Sequence, residues 1–219
     1  MTNHYSHDLK TPSFLFVDSG TYFGSQTTRK EQENPDTYVI DIYDLPSYDL
    51  SPHKILVIDG FADQHLLLQQ SEQIRQFLDQ GNILLFSGNL FLSWLPGASL
   101  FVPKTIHHHS DYNVHFHHPH PIFEGVEADN LTYNKGVSGF FARGHHPIPH
   151  QAEVLLTLEG GEPITYIDRY STKGTILVHS GSNLLGYSMR SNTSGRIGTQ
   201  LKAWLYEEYE QISKRRITS

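Results

Sequence analysis

The sequence predicts an α/β fold: a mostly parallel sheet covered by helices, with a more β-rich second half. Three observations predict it. Four short apolar runs recur in the first half, each closed by Asp, Ser or Pro. A helical stripe separates the third run from the fourth. Further strand-like runs then lead to a closing helix. Apolar runs of about four residues between turn residues are the mark of strands buried on both faces. Strand–helix–strand alternation calls for right-handed crossovers between parallel neighbours.

The first run is Phe14-Leu15-Phe16-Val17, ending at Asp18-Ser19-Gly20. A connector over 20–37, rich in Gln, Glu and Thr, has room for one short helix or a loop. The second run, 38–43, closes at Leu45-Pro46, and the third is Ile55-Leu56-Val57-Ile58 before Asp59-Gly60. A helix is expected over 65–80, because Leu67, Ile74, Phe77 and Leu78 share a face and Gly81 suits a left-handed C-cap. The fourth run is Ile83-Leu84-Leu85-Phe86, before Ser87-Gly88. Strands follow at 114–116, 154–158, 164–167 and 175–178, with Glu159-Gly160-Gly161-Glu162 as a hairpin connection. The last helix, 194–214, carries an apolar stripe of Ile197, Leu201, Trp204, Leu205 and Ile212. Glu207, Glu208 and Glu210 fall mostly outside that stripe, and Lys214, Arg215 and Arg216 complement the helix dipole.

A chain of 219 residues suits a single domain, 1–219. It contains no cysteine, which excludes a disulfide scaffold, a thiolate metal site and a cysteine nucleophile. The formal charge of −7, without a Lys/Arg-rich run, argues against nucleic acid as a partner. No apolar run approaches the roughly 20 residues of a membrane span. Residues 1–10 are polar and show no signal peptide. A soluble, cytoplasmic protein with no membrane partner is expected. A homo-oligomer is left open.

In open α/β sheets, ligands bind beyond the carboxyl ends of the strands. Asp18, Asp59, Ser87 and His179 each follow an apolar run, and each is followed within two residues by glycine. Any one of them is explained as a turn residue. Together on one edge they outline a candidate site. Ser87 has the layout of a nucleophile elbow, although Leu85 breaks the G-x-S-x-G pattern. In a hydrolase reading Ser87 is the nucleophile, His179 the base and Asp59 the orienting carboxylate, or Asp and His groups activate a water.

The block 54–97 resembles the class I glutamine amidotransferase-like superfamily, and within it the trehalose-utilisation (ThuA-like) branch. The likeness is carried by the strand 55–59, the helix ending Phe77-Leu78-Asp79-Gln80-Gly81 and the strand 83–87. Two further segments contribute, His120-Pro121-Ile122-Phe123-Glu124-Gly125-Val126 and Gly174-Thr175-Ile176-Leu177-Val178-His179-Ser180-Gly181. The resemblance implies a flavodoxin-like doubly wound sheet. It also implies a cysteine at the elbow, where Ser87 stands, and a His-x-Glu pair after the last core strand, where Ser180-Gly181 follows His179. Glutaminase chemistry by that superfamily's mechanism is therefore excluded.

Ten histidines fall within 107–150. If a strand carries His115 and His117, both imidazoles point to one face, where a divalent metal could take them with a carboxylate. Any cofactor other than such a metal is left open. The segment Gly139-Phe140-Phe141-Ala142-Arg143-Gly144-His145-His146-Pro147 reads as a loop whose Arg143, with His145 or His146, reaches the strand-end crevice and holds an anion. Three functions stay open. The first is a cysteine-less amidotransferase-like domain binding a small polar or anionic ligand, or a partner protein, without turnover. The second is a hydrolase on Ser87 and His179. The third is a histidine-cluster metal protein. The expected ligand site is the C-terminal strand edge, lined by Asp18, Asp59, Ser87 and His179.

Overall fold

The four early apolar runs become adjacent parallel strands. The computed structural model describes residues 11–217; the segment 1–10 and its signal-peptide reading lie outside the described residues. In chain order the first half gives β1 (Phe14–Asp18), α1 (Ser25–Glu31), β2 (Thr37–Asp41), β3 (Ile55–Asp59), α2 (Gln64–Gln69), α3 (Ser71–Asp79) and β4 (Ile83–Ser87). The second half begins with β5 (Val102–Pro103), β6 (Val114–Phe116), α4 (Ala128–Thr132), β7 (Tyr133–Asn134), β8 (Val137–Ser138) and β9 (Gly144–His145). It ends with β10 (Glu153–Leu158), β11 (Pro163–Asp168), β12 (Thr175–His179) and α5 (Arg196–Ile217).

Eight strands form one sheet in the order β2-β1-β3-β4-β12-β11-β10-β6. The first five are parallel to one another, and β11, β10 and β6 add on as antiparallel strands. The parallel part is the doubly wound, flavodoxin-like order, with β12 as its fifth strand, and its switch point lies between β1 and β3. The antiparallel extension is what makes the second half of the sequence read as β-rich.

Side-chain alternation sends Phe14, Phe16, Ile55, Val57, Ile83 and Leu85 to one face, where Ile197, Leu201 and Leu205 of α5 cover them. Leu15, Val17, Leu56, Ile58, Leu84 and Phe86 go to the other, against Leu67, Ile74, Phe77 and Leu78 of α2 and α3. Both faces are thus sealed, as the uninterrupted apolar runs require.

Several local expectations shift. The helix expected over 65–80 is broken at Gln70; Asp63 caps its first half by accepting from the N–H groups of His65 and Leu66. Gly81 adopts φ +80, the left-handed cap. The second apolar run is an edge strand, so Tyr38 is 47% exposed. That strand stops at Asp41, which caps a 3-10 turn over Ile42–Ser47. Glu208, placed outside the stripe of α5, is buried. It takes a two-pronged hydrogen bond from Arg169, Nε to Oε1 at 2.6 Å and Nη2 to Oε2 at 3.0 Å, and one from Thr175 Oγ1 at 2.8 Å. A face of α5 therefore meets the sheet through charge.

Candidate active-site region at the strand ends

Strand register assembles the site. Val17 stands opposite Ile58, which makes Asp18 level with Asp59; Asp59 pairs with Ser87, Ser87 with His179, and His179 with Thr165 of β11. Each lies an even number of residues from a member of the α5-side cluster, so the row points to one face of the sheet. The four strand-end residues named from the sequence are therefore neighbours.

Glycines let the loops close over this row. A Cβ on Gly88, at φ +152, would lie 2.2 Å from the Gly60 Cα, and one on Gly181 would lie 1.8 Å from the Phe141 carbonyl oxygen. Gly60 and Gly88 pass backbone against backbone, while Gly181 bridges Ala142 and brings the 139–147 loop down onto β12. The same loop is held from outside by the pairing of β9 with β5.

A cavity of about 640 Å³ opens at this edge. Its wall includes Asp59, Ser87, Arg143, Ser180, Tyr187 and Arg190. Asp18 and His179 are not part of that wall. Asp18 Oδ1 accepts from the Ser25 hydroxyl at 2.6 Å and from the Gly20 N–H at 3.0 Å.

The serine triad is not assembled. Register order is Asp59, Ser87, His179, which puts the serine in the middle, whereas a triad needs the imidazole between hydroxyl and carboxylate. The Ser87 hydroxyl is buried with no hydrogen-bond partner among the described residues. His179 is fully buried, its Nδ1 is 2.8 Å from Thr165 Oγ1, and the Phe141 ring lies 4.7 Å from it. Burial pushes its pKa down to about 3, against the opposing pull of the Ile164 and Phe141 carbonyls. The Gly88 N–H, which an elbow would offer to an oxyanion, donates instead to the His179 carbonyl at 2.8 Å.

His146 is also fixed as a neutral, structural group. Leu90 N–H donates to its Nε2 at 3.0 Å, so the ring's hydrogen sits on Nδ1 and is donated to Ser180 Oγ at 2.7 Å. Burial pushes its pKa down to about 4, with the His145 charge acting the same way. A ring that donates to Ser180 cannot take that serine's proton. Neither His146 nor His145, the histidines expected in the crevice, belongs to the cavity wall, which corrects the sequence reading. His145 pairs with Val102 of β5 and interacts with the charges of Glu162 and Lys104.

Asp59 is the carboxylate that stays chemically available. Burial raises its pKa to about 6; the Phe61 N–H, donating at 2.8 Å, opposes the rise and the Asp18 charge adds to it. It can therefore give or take a proton near neutral pH.

Arg143 lines the cavity, its Nε donating to the Gly139 carbonyl at 2.9 Å. Arg190 joins it without any sequence signal. Its Nη1 donates to Asn134 Oδ1 at 2.6 Å, and its guanidinium lies 5.3 Å from the Tyr187 ring centre. No local motif marks it, because the contacts that aim it come from β7 and a 3-10 turn.

The expected metal ligands do not converge. His115 Nε2 is 2.8 Å from Glu159 Oε2, the His117 ring packs edge-on to His118, and both His115 and His117 are exposed. Among the described residues no group of three or more His, Asp or Glu side chains is placed to hold a metal ion. His120 instead caps a 3-10 turn and packs its ring against Trp204.

The fold is similar to several solved structures. A protein of Thermoplasma acidophilum, provisionally described as a GMP synthase component, matches at 15% identity and TM-score 0.54, covering 94% of this chain and 96% of that one. Two Salmonella typhimurium structures, each described as a cytoplasmic protein, match at 11% identity with TM-score 0.55 and at 14% with TM-score 0.50. They cover 89% and 86% of this chain, and 98% of each of those. No protein-family model and no curated protein sequence matches the chain. No described helix is long and apolar enough to cross a membrane.

Proposed function

We propose that this is a cysteine-less domain of the glutamine amidotransferase-like superfamily that binds a small polar anion at the strand-end cavity, without glutaminase activity. One observation carries the reading. Arg143 and Arg190 are the only cations among the cavity's described lining residues, and each is held by neutral groups rather than by a carboxylate. In a chain of net charge −7, two such guanidiniums on one wall make a ready anion site. The shared fold of the Thermoplasma protein supports the superfamily, and the description of the Salmonella proteins supports a cytoplasmic setting. The absence of any cysteine supports the lack of thioester chemistry.

Calorimetric titration with inorganic phosphate and sulfate tests the reading. Arg143→Ala and Arg190→Ala should each weaken binding by about 1.5–3 kcal/mol, the worth of a charge-assisted hydrogen bond. Both side chains lie at the surface, so thermal stability should change little. Unchanged affinity in both variants would remove the proposal.

A further inference from the structure

We propose that the anion taken by this cavity carries a flat apolar ring, which stacks on an aromatic lip formed by Phe23 and Phe61. This rests on the anion reading and extends it from the charged end of the ligand to its body.

Phe23, Phe61, Phe91, Phe140 and Met189 all line the cavity and stand 67%, 56%, 60%, 52% and 55% exposed. None belongs to either buried cluster of the sheet. Scattered exposed apolar residues need no explanation, but five such side chains lining one cavity mark a binding surface. Phe23 comes from the connector after β1 and Phe61 from the turn after β3, so the two loops flanking the switch point supply one ring each. The rings are stacked at 6.2 Å and 26°, and both keep more than half their surface open. An aromatic face presented this way suits a ligand ring.

Charge decides the occupant. Arg143 and Arg190 line the same cavity as this lip, and Asp59 is the one carboxylate among its described lining residues. An uncharged apolar partner would leave the two guanidiniums without a counter-charge, whereas a ring-bearing anion engages lip and wall together. The cavity's 640 Å³ lies within the range of about 300–1,000 Å³ for small-molecule sites.

The test compares four probes by calorimetry on the full chain at pH 7.5: phenyl phosphate and benzoate against inorganic phosphate and acetate. Each aryl anion should bind about tenfold tighter than its ring-free counterpart, through ring burial and stacking. Phe61→Ala and Phe23→Ala should abolish that advantage while leaving phosphate affinity as it was. Equal affinities for aryl and ring-free anions, or an aryl advantage that survives both substitutions, would overturn the ring while leaving the anion site standing. Binding of none of the four would overturn the anion site itself, and the ring with it.

Discussion

Asp59 sits in the same wall as two arginines, so its protonation sets the field that an anion meets. Its carboxyl is raised to about 6 by burial, and the Asp18 charge adds to the rise. The buried His146 and His179 stay neutral over the same range, at about 4 and 3. Sulfate, whose own charge is constant over this range, should therefore bind more tightly at pH 5 than at pH 7.5. Removing one negative charge several ångströms away is worth on the order of 1 kcal/mol, about fivefold in affinity. Asp59→Asn should bind as the protonated form does and lose this pH dependence; a dependence that persists in that variant would assign it elsewhere. Asp59 and Ser87 are legible in the sequence because strand ends are marked locally, by an apolar run and a glycine. Arg190 and the fixed tautomer of His146 are not. Arg190 is set by Asn134 as well as by nearby Tyr187, and His146 by Leu90 and Ser180, which are distant from it in sequence.

Among the elements, the strands are easily read from sequence and the helix surfaces less so. Runs such as 55–58 and 83–86 can only be buried on both sides, and they are. Glu208 shows where periodicity stops being informative. A glutamate outside an apolar stripe reads as solvated, yet this one is buried because Arg169 and Thr175 stand opposite it. Arg169 reaches on to Glu153 at 2.6 Å, and Glu153 to His118 at 2.8 Å, so α5 is tied to β10 through one chain of charges. Removing Glu208 takes two hydrogen bonds from the half-buried Arg169, which keeps Glu153, and takes the acceptor from the buried Thr175 hydroxyl. Glu208→Ala should cost about 1.5–3 kcal/mol, the worth of hydrogen bonds to a charged group. Chemical denaturation reads this directly, and a loss below about 1 kcal/mol would show that Arg169 finds water or another acceptor.

For the whole molecule, the buried titrating groups predict how stability responds to acid. His146 and His179 have folded pKa values near 4 and 3, against an ordinary 6.5. As pH falls below 6.5, the unfolded chain takes up protons at both positions while the folded chain does not. Asp59 works the other way: folded, it binds a proton near pH 6, whereas unfolded it waits until about 3.8. Near pH 5 the unfolded state thus holds two protons on the histidines and the folded state one on the aspartate. The net difference of one proton makes stability fall by about 1.4 kcal/mol per pH unit on acidification. His53, His120 and His145, all lowered first by burial, add to the loss. The effect should begin at about pH 7, where the unfolded imidazoles start to bind protons, and run to about pH 4. Urea midpoints measured at pH 7, 6 and 5 at constant ionic strength should decline steadily. A midpoint that holds constant or rises toward pH 5 would mean that the buried imidazoles accept protons in the folded protein, and that the 139–147 loop opens to let them.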